Sequence, residues 1–196
     1  MSREPNSTRD RILETTVRLL EQKGGRGVRM SDIATHSRVS RQALYLHFAS
    51  RAELLIAATR YLDEQLDLGK RLHGSRNAAS GVSRLELFIQ FWGHYIPDIY
   101  AIVKALMLAE ASDEAAAAAW KDRCNAVREG CQAAIEALVA DGMLADGWQP
   151  QQATDALWTQ LHITNWENLT LHCGWSTEQY VERMTAMARS CFVRQT

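Results

Sequence analysis

Apolar side chains recur every three or four residues along most of this chain, which is the spacing of helices that bury one face. The first such stretch begins after Thr8 and stops at Gly24-Gly25. Two shorter stretches follow, from Met30 to Thr35 and from Ser40 to Phe48. Because helices this short are not stable alone, the pattern predicts that they pack against each other as a helix-turn-helix.

A fourth helix is predicted to follow directly. Ser50 precedes it and Glu53 stands three residues later, which is the arrangement of an N-cap and its reciprocal partner. The apolar pattern then continues to about Leu72, and Gly74 to Gly81 is the one clear linker-like segment. We therefore divide the chain into an N-terminal tail and helix-turn-helix head of residues 1–50, a linking helix of residues 51–73 and a helical body of residues 74–196.

The body shows further helical patterns and no strand pattern. Pro97 is expected to end one helix at the residue before it and Asp98 to open the next, because proline lacks the N–H that a helix interior needs. A long helix is expected from Ser112-Asp113 to Asp141-Gly142. Two amphipathic helices complete the chain, over about Gln151 to His172 and Ser176 to Arg194. The predicted fold class is therefore all-α.

The composition agrees with a helical globular protein. Of 196 residues, 46% are hydrophobic, 23% are charged and only three are proline, so disordered and β-sandwich classes are disfavoured. The longest unbroken apolar run, Ala115 to Trp120, is far shorter than the roughly 18 residues of a membrane span. The N-terminus lacks the apolar stretch of a secretory signal. We expect a soluble cytoplasmic protein that has no membrane contact.

The four cysteines are expected to be free thiols, because a chain without a secretory signal folds in a reducing compartment. Cys124 and Cys131 would lie about 10 Å apart along one helix, which is beyond the span of a disulfide. No Cys/His cluster with metal-ligand spacing is present. We predict buried cysteines, no bound metal and no required cofactor.

Charge is distributed unevenly along the chain. Residues 1–60 hold 11 Lys and Arg against 6 Asp and Glu, a net charge of +5, whereas residues 61–196 hold 11 against 17, a net charge of −6. A basic head on an acidic body indicates that the head binds a polyanion, because neutralised phosphates release counterions.

The second short helix carries the side chains that suit base recognition. Ser40 can cap this helix and leave Arg41 and Gln42 at its exposed first turn, where helix-turn-helix proteins present base-reading residues. Arg41, Gln42 and Tyr45 share an arc of about 100° on the helix. Arginine matches guanine O6 and N7 and glutamine matches adenine N6 and N7, so both side chains suit direct readout in a major groove.

The ordered set of residues in this region resembles the TetR (tetracycline-repressor) family of bacterial transcription regulators. The resemblance spans about Arg9 to Ala58 and rests on Ile12-Leu13, Gly24, Ile33-Ala34, Val39-Ser40, Leu44-Tyr45-x-His47-Phe48 and Arg51-x-x-Leu54. It implies an all-helical homodimer with a three-helix DNA-binding head, a linking fourth helix and a C-terminal effector domain. The ending Gly174-Trp175-Ser176 with its amphipathic last helix also resembles one branch of this family.

The resemblance also implies roles for individual residues. By position, Arg41 and Gln42 would read bases, Ala43 would lie close to the duplex, and Tyr45 and His47 would touch phosphates. Arg51 stands where the family usually has lysine, and it would offer phosphate a backbone N–H and a charged side chain. The DNA-contact set predicted on this basis is Ser31, Ser40, Arg41, Gln42, Ala43, Tyr45, His47 and Arg51.

Two positions depart from the family pattern. Arg38 replaces the glycine that is common before Val39, and a residue other than glycine is strained at positive φ. Arg29 replaces the usual Ser or Thr cap of the first short helix, so Ser31 is an alternative cap one turn later. Both departures concern the local geometry of the helix-turn-helix.

The body offers an aromatic candidate site for a small-molecule effector. Trp158, His162 and Trp166 are spaced four apart, on one face of a predicted helix. Aromatic stripes of this kind also occur in ordinary protein cores, so the alternative for each of these residues is a role in core packing. The predicted ligand-binding set is Phe88, Trp92, Tyr95, Met107, Cys124, Trp158, His162 and Trp166.

These predictions favour a dimeric transcription regulator, a repressor that binds a palindromic operator in double-stranded DNA and is relieved by an unknown small molecule. The homodimer is expected to form through the last two helices. One alternative is a DNA-binding protein that needs no effector. A less favoured one is an all-α enzyme that uses His162 with Glu167 or Asp155 as acid and base, for which no oriented nucleophile or metal constellation is evident.

Overall fold

The computed structural model describes residues 7–23 and 28–195 of the chain. Apart from Ser7, the tail expected before Thr8 lies outside these residues, as does the Gly24-Gly25 helix stop. The described chain is helical, and its extended pairing is a single antiparallel bridge between Leu144 and Val193. The all-α fold class is confirmed.

Eleven α-helices and one π-helical segment make up the described secondary structure. Most begin close to where the apolar pattern places them. Their bounds are α1 Thr8–Lys23, α2 Met30–His36, α3 Arg41–His47, α4 Arg51–Gln65, α5 Leu68–Arg71, α6 His73–Arg76, α7 Gly81–Ala109, α8 Glu114–Ala140, α9 Pro150–Gln160, α10 Ile163–Glu167, the π-helix Asn168–His172 and α11 Thr177–Phe192.

These elements group into two compact units. The first runs to Leu68 and also contains Ile99–Arg123, and the second contains Gly69–Asp98 and the chain from Cys124 onward. In the first unit α1 packs on α2 and α4, and α2 packs on α3. Its core is formed by fully buried side chains that include Ile12, Leu20, Ile33, Leu44, Phe48, Leu54 and Leu55. The boundaries of head, linking helix and body near residues 50 and 73 stay predictions.

The second unit is held together by close helix packing. A Cβ built on Gly93 of α7 would lie 2.5 Å from a methyl group of Val181 and 3.2 Å from the ring of Tyr180, both on α11. Glycine at this position therefore lets the two helices approach closely. The core of the unit also includes the buried side chains of Leu85, Ile89, Ile96, Cys131, Ile135, Leu138 and Leu157.

The expected helix break at Pro97 is wrong, because α7 continues through that residue as one helix of 29 residues. Proline within a helix costs about 3 kcal/mol, since it removes one backbone hydrogen bond and crowds the preceding turn. Burial of apolar side chains on both sides, including Ile96 and Ile99, supplies a larger stabilisation than this cost. Pro97 itself is exposed.

The fourth helix is shorter than predicted. α4 ends at Gln65, not near Leu72, and Asp67 has a φ of 53°. Aspartate tolerates this left-handed conformation better than most residues, which makes it a suitable helix end. Two four-residue helices, α5 and α6, follow the break.

The segment from Gly74 to Gly81 is not the open linker that its composition suggests. A Cβ on Gly81 would lie 2.5 Å from the backbone of Ala137 in α8, so glycine is required for this contact. The N–H of Gly81 donates to the Asp141 carboxylate at 2.6 Å. Ser75 is buried, and its hydroxyl donates to the carbonyl of Arg84 at 3.1 Å.

The helix predicted over Gln151 to His172 is interrupted. α9 ends at Gln160, and α10 begins at Ile163 with His162 as its N-cap. The Nδ1 of His162 accepts a hydrogen bond from the N–H of Thr164 at 3.3 Å, so a side chain replaces the helical backbone partner at this point. The last helix, in contrast, starts as predicted, with Ser176 accepting from the N–H of Gln179 at 3.2 Å.

The cysteines divide between interior and surface. All four are free thiols, as expected. Cys131 is buried, and burial raises the pKa of its thiol to about 12. The prediction of burial is wrong for Cys173 and Cys191, which are exposed beside the start and at the end of α11. None of the described helices is both long and apolar enough to cross a lipid bilayer.

Candidate DNA-binding surface and effector region

The recognition helix α3 is fixed at both ends by local contacts. The hydroxyl of Ser40 accepts a hydrogen bond from the N–H of Ala43 at 3.0 Å, so Ser40 is the predicted N-cap. Leu44 and Phe48 are fully buried and anchor the helix to the core. The guanidinium of Arg9 lies 5.0 Å from the centre of the Phe48 ring, a cation–π distance.

The anchored helix presents the predicted base-reading residues to solvent. Arg41, Gln42, Tyr45 and His47 are exposed, and Ala43 is half-buried. Tyr45 keeps 45% of its surface accessible although it is aromatic. The first unit therefore displays two hydrogen-bonding side chains at the first turn of α3 and two further polar rings in its last turn.

Arg38 occupies the strained position that its sequence context predicts. Its φ is 56°, in the left-handed region that favours glycine. The N–H of Arg38 donates to the carbonyl of Thr35 at 3.2 Å and the N–H of Val39 to that of Ala34 at 3.0 Å. These two bonds form a Schellman motif that ends α2, so the turn keeps its geometry despite the arginine.

The start of α2 uses a carboxylate where a hydroxyl cap is absent. Arg29 is the N-cap, and its N–H donates to the carboxylate of Asp32 at 3.3 Å. Ser31 lies inside the helix, so the alternative that it caps the helix one turn later is wrong. Ser31 is the second residue of α2, and its side chain is exposed.

The Arg51 side chain is engaged within the protein. Arg51 is the first residue of α4, as predicted, but its Nε donates to the carbonyl of Val28 at 2.9 Å. Its Nη1 contacts both carboxylate oxygens of Asp113 at 2.5 Å. The side chain keeps 20% of its surface accessible, and the N–H of Glu53 in this turn donates to the Ser50 hydroxyl at 3.1 Å. The backbone N–H groups of Arg51 and Ala52 are therefore the donors that the start of α4 offers to an anion.

Asp113 joins the starts of two helices. Besides pairing with Arg51, its carboxylate accepts from the N–H groups of Ala115 at 3.0 Å and Ala116 at 3.2 Å at the start of α8. Burial raises the pKa of Asp113, but the hydrogen bonds and the Arg51 charge outweigh it and hold the pKa below its usual value. Sequence reasoning predicted the helix start here and missed the partner, which is 62 residues away.

Two further ion pairs connect α4 with α8 in the first unit. Arg60 donates to Asp122 at 2.7 Å, and Arg123 pairs with Asp63 and with Asp122. Burial raises the pKa of Asp122, and the hydrogen bonds from Arg60 and Arg123 lower it by more. Charged groups at three levels along α4 are thus paired with Asp113, which precedes α8, and with Asp122 and Arg123 in the first half of α8.

A groove of about 540 Å³ lies between α1 and α4 in the first unit. No residue of the predicted effector set lines it. Its walls combine charged side chains with the ring of Tyr61, and the charged members include Arg9, Asp10, Glu53, Arg60 and Glu64.

The aromatic residues predicted to line an effector site are largely buried in the second unit. Phe88 keeps 6% of its surface accessible, Trp92 7% and Tyr95 2%. The indole Nε1 of Trp92 donates to the carbonyl of Leu161 at 2.8 Å, which is the residue at which α9 ends. This hydrogen bond therefore connects α7 to the residues between α9 and α10.

A ring cluster next to Trp92 includes a residue that the sequence reasoning missed. Phe91 stacks on Tyr95 with ring centres 5.2 Å apart, and it also contacts Phe88 at 6.2 Å. Arg71 lies over the Tyr95 ring at 5.4 Å and pairs with Asp98 at 2.6 Å. The helical spacing of these residues was visible in sequence, but the arginine partner was not.

The trio Trp158, His162 and Trp166 does not form one continuous helical face, because the helix breaks at His162. Trp158 and His162 still meet edge-on, with ring centres 6.2 Å apart, and both are half-buried. Trp166 is buried. Burial lowers the pKa of His162, which favours the neutral imidazole that accepts from Thr164.

The other two members of the predicted effector set are half-buried. Cys124 belongs to the second unit and Met107 to the first.

A capped, outward-facing recognition helix in a helix-turn-helix is the arrangement found in DNA-binding transcription regulators. Residues 12–58 match the family described as bacterial regulatory proteins, tetR family. These residues run from α1 into α4. Over residues 12–58 the chain is therefore similar to the tetR family of bacterial regulatory proteins.

Individual relatives show the same similarity. The uncharacterized HTH-type transcriptional regulator YerO of Bacillus subtilis is 38% identical over 56 residues, which are 29% of this chain and only 19% of that protein. The HTH-type transcriptional regulator CymR of Pseudomonas putida is 27% identical over 158 residues, 77% of this chain and 72% of CymR. A crystal structure of a transcriptional regulator from Saccharomonospora viridis in complex with choline has the same fold, with a TM-score of 0.72 at 19% identity over 95% of this chain and 98% of that one.

Proposed function

We propose that this regulator is a homodimeric repressor that binds a palindromic operator and is released from it by a small-molecule effector. The observation that carries the proposal is the recognition helix, because capped α3 exposes Arg41 and Gln42 at its first turn. The net charge of +5 over residues 1–60 supports association of this part of the chain with duplex DNA.

Within the proposed complex, α3 enters the major groove and Arg41 and Gln42 contact base edges. Tyr45 and His47 contact phosphates from the last turn, Ala43 lies against the duplex, and Ser31 and Ser40 complete the surface. Arg51 contributes its backbone N–H at the first turn of α4, since its guanidinium is held by Asp113.

The proposed dimer forms through the last two helical regions, from α9 to α11. Two large apolar side chains remain exposed there, Leu171 at 56% and Met187 at 55%. Burying them against a second copy would remove both from water. A two-fold dimer places two recognition helices on half-sites about one helical turn of DNA apart, roughly 34–36 Å, which is why a palindrome is expected.

The proposed effector site lies among the aromatic rings of the second unit. Its half-buried members are Trp158, His162 and Cys124, and the buried rings of Trp92, Tyr95, Phe88 and Trp166 from the same unit complete it. Ring faces attract organic cations, and the choline complex of the Saccharomonospora viridis protein supports starting with this ligand class.

The test begins with selection of bound duplexes from a random pool. Enrichment of a palindrome is expected, and binding to single-base variants of it should show that Arg41→Ala loses about 1–3 kcal/mol and relaxes preference at one position of each half-site. Enriched sites without two-fold symmetry would contradict the palindromic operator. An Arg41→Ala protein that keeps the full base preference would contradict the role of Arg41.

Effector relief is tested separately. Choline and a small-molecule library are titrated while tryptophan emission is followed, and each hit is then titrated with and without operator. Reciprocal weakening of both affinities is expected, by about 5–150-fold. His162→Ala and Trp158→Phe should impair this response while effector-free operator binding stays unchanged. Equal effector affinity with and without operator would favour a regulator that needs no effector, an alternative that the burial of Trp92, Tyr95 and Trp166 supports.

A further inference from the structure

Leu46 is the most exposed of the large apolar side chains in the described chain, with 83% of its surface accessible. The other exposed large apolar residues keep between 36% and 56%. Leu46 lies in the recognition helix, directly after Tyr45 and four residues after Gln42. A leucine this exposed, in the middle of the proposed DNA-contacting surface, has no role in the core and none among the predicted contacts.

The helix places Leu46 beside Gln42 and away from the core. At about 100° per residue, Gln42 and Leu46 lie about 40° apart on α3, and each is about 160° from buried Leu44. The two therefore form the part of the helix that faces most directly outward. When α3 enters a major groove with Leu44 toward the protein core, Gln42 and Leu46 point at the floor of the groove.

We infer that Leu46 reads thymine, by packing its isobutyl group against the 5-methyl group of the base. This methyl is the one apolar group that base edges present in the major groove, so it is the group that an exposed leucine fits. The inference rests on the proposed placement of α3 in the groove. It adds an apolar specificity contact to the hydrogen bonds assigned to Arg41 and Gln42.

The spacing also locates the thymine. Four residues of helix rise about 6 Å, and base pairs are about 3.4 Å apart, so Leu46 reaches a thymine within two base-pair steps of the pair that Gln42 contacts. Duplex DNA is favoured over a protein partner because Gln42, one helical turn before Leu46, and Tyr45, directly before it, both carry polar side chains. A single leucine also offers little area for a protein interface.

The experiment uses the full-length protein and the duplex that selection enriches. Each thymine in a half-site is replaced in turn by deoxyuridine, which keeps the base pair and lacks only the methyl group. For wild-type protein, replacing one particular thymine of a half-site should weaken binding by about fourfold, because that factor corresponds to the loss of one buried methyl group. Leu46→Ala should bind the thymine and uracil duplexes with equal affinity.

The controls separate this role from others. Leu108→Ala removes a leucine that is 54% exposed outside the recognition helix, and it should keep the wild-type response to uracil. Leu46→Ala should melt at the wild-type temperature, because the side chain is hydrated in the free protein. Leu46→Met should retain part of the discrimination.

Three outcomes overturn the inference. Wild-type protein that binds every uracil duplex as tightly as the original shows that no methyl group is read. A Leu46→Ala protein with the wild-type uracil response assigns the methyl contact to another residue. A selection that enriches no sequence overturns the proposed operator and this inference with it, whereas the first two outcomes leave the operator intact.

Discussion

The recognition helix and the aromatic region of the second unit present their candidate residues in opposite ways. In α3, Arg41 and Gln42 are exposed and two buried side chains next to them hold the helix in place. In the second unit, Trp92 and Tyr95 are themselves buried, and Trp92 is hydrogen-bonded to the backbone of Leu161. Candidates in α3 are thus separate from the core, whereas those in the aromatic region are part of it.

This difference teaches how binding and stability are coupled in each region. An exposed side chain on a capped helix can change without loss of fold, so its substitution reports on binding alone. A buried aromatic side chain contributes to both, and an effector that contacts it must also perturb the packing around it. Measuring both unfolding and binding for each substitution therefore tests whether the two regions differ in this way.

The largest effect is expected for Trp92→Ala. Removing a buried indole should lower the free energy of unfolding by about 3–5 kcal/mol, because a cavity forms and the Leu161 carbonyl loses its donor. Gln42→Ala should change it by less than about 0.5 kcal/mol, since that side chain is exposed. Urea unfolding of both variants checks the contrast. A Trp92→Ala protein of wild-type stability would mean that Trp92 lines an open site.

Gly93→Ala is expected to have the next largest effect. The added Cβ would lie 2.5 Å from a Val181 methyl group, so α7 and α11 must separate, at a cost of about 1–3 kcal/mol. Gly69→Ala is the matched control, because a Cβ there meets nothing within 4 Å. Urea unfolding should show a loss for Gly93→Ala only. Equal stability of the two variants would show that the second unit adapts more readily than its packing indicates.

Asp113→Asn tests whether the ion pair with Asp113 keeps the Arg51 side chain from contacting DNA. Asparagine can still cap α8, but it loses the charge that holds the guanidinium, so Arg51 becomes available to DNA phosphate. Operator affinity should rise, and the slope of log affinity against log salt should steepen by about one unit. Titrations at several salt concentrations measure both quantities. Weaker binding with an unchanged slope would instead show that Asp113 positions Arg51 for its contact.

Acid should remove the stabilisation that Asp113 and Asp122 provide. Their pKa values are lowered in the folded protein, so their contribution is complete above the unfolded pKa of about 3.8 and is lost as the pH falls through the lower folded values. The effect should be at most about 1 kcal/mol, because both carboxylates are partly hydrated. Unfolding of wild type and of Asp113→Asn between pH 5 and pH 2, at about one-unit steps, measures it. A parallel loss in both proteins would exclude Asp113 as a contributor.

The smallest effect is expected at Arg38. Arg38→Gly relieves the positive φ of 56° but adds flexibility to the unfolded chain, so the free energy of unfolding should rise by less than about 1 kcal/mol. Arg38→Val should lower it, because a β-branched residue fits this conformation poorly. Thermal melting of both variants and of the wild type shows whether each substitution raises or lowers stability. Stabilisation by valine would show that the turn relaxes away from the left-handed conformation.

The sequence by itself determined the features that depend on neighbouring residues. Short-range hydrogen bonds and one buried position per helical turn account for four of these features. They are the Ser40 cap of α3, the ends of α8, the strained backbone of Arg38 and the exposed first turn of α3. These interactions involve residues within about six positions of each other, so a linear pattern contains them. The family resemblance of about Arg9 to Ala58 rests on the same local pattern.

Tertiary structure decided the features whose partners are distant in the chain. The pairing of Arg51 with Asp113 bridges 62 residues, and the bond from Trp92 to Leu161 bridges 69. Pro97 stays inside α7 because packing outweighs its local preference, and His162 ends a helix that its apolar pattern would continue. Local propensities are worth up to about 1 kcal/mol for most residues and about 3 kcal/mol for proline, whereas burial of each large side chain is worth about 1.5–3 kcal/mol. Several buried side chains together therefore override the local pattern where the two disagree.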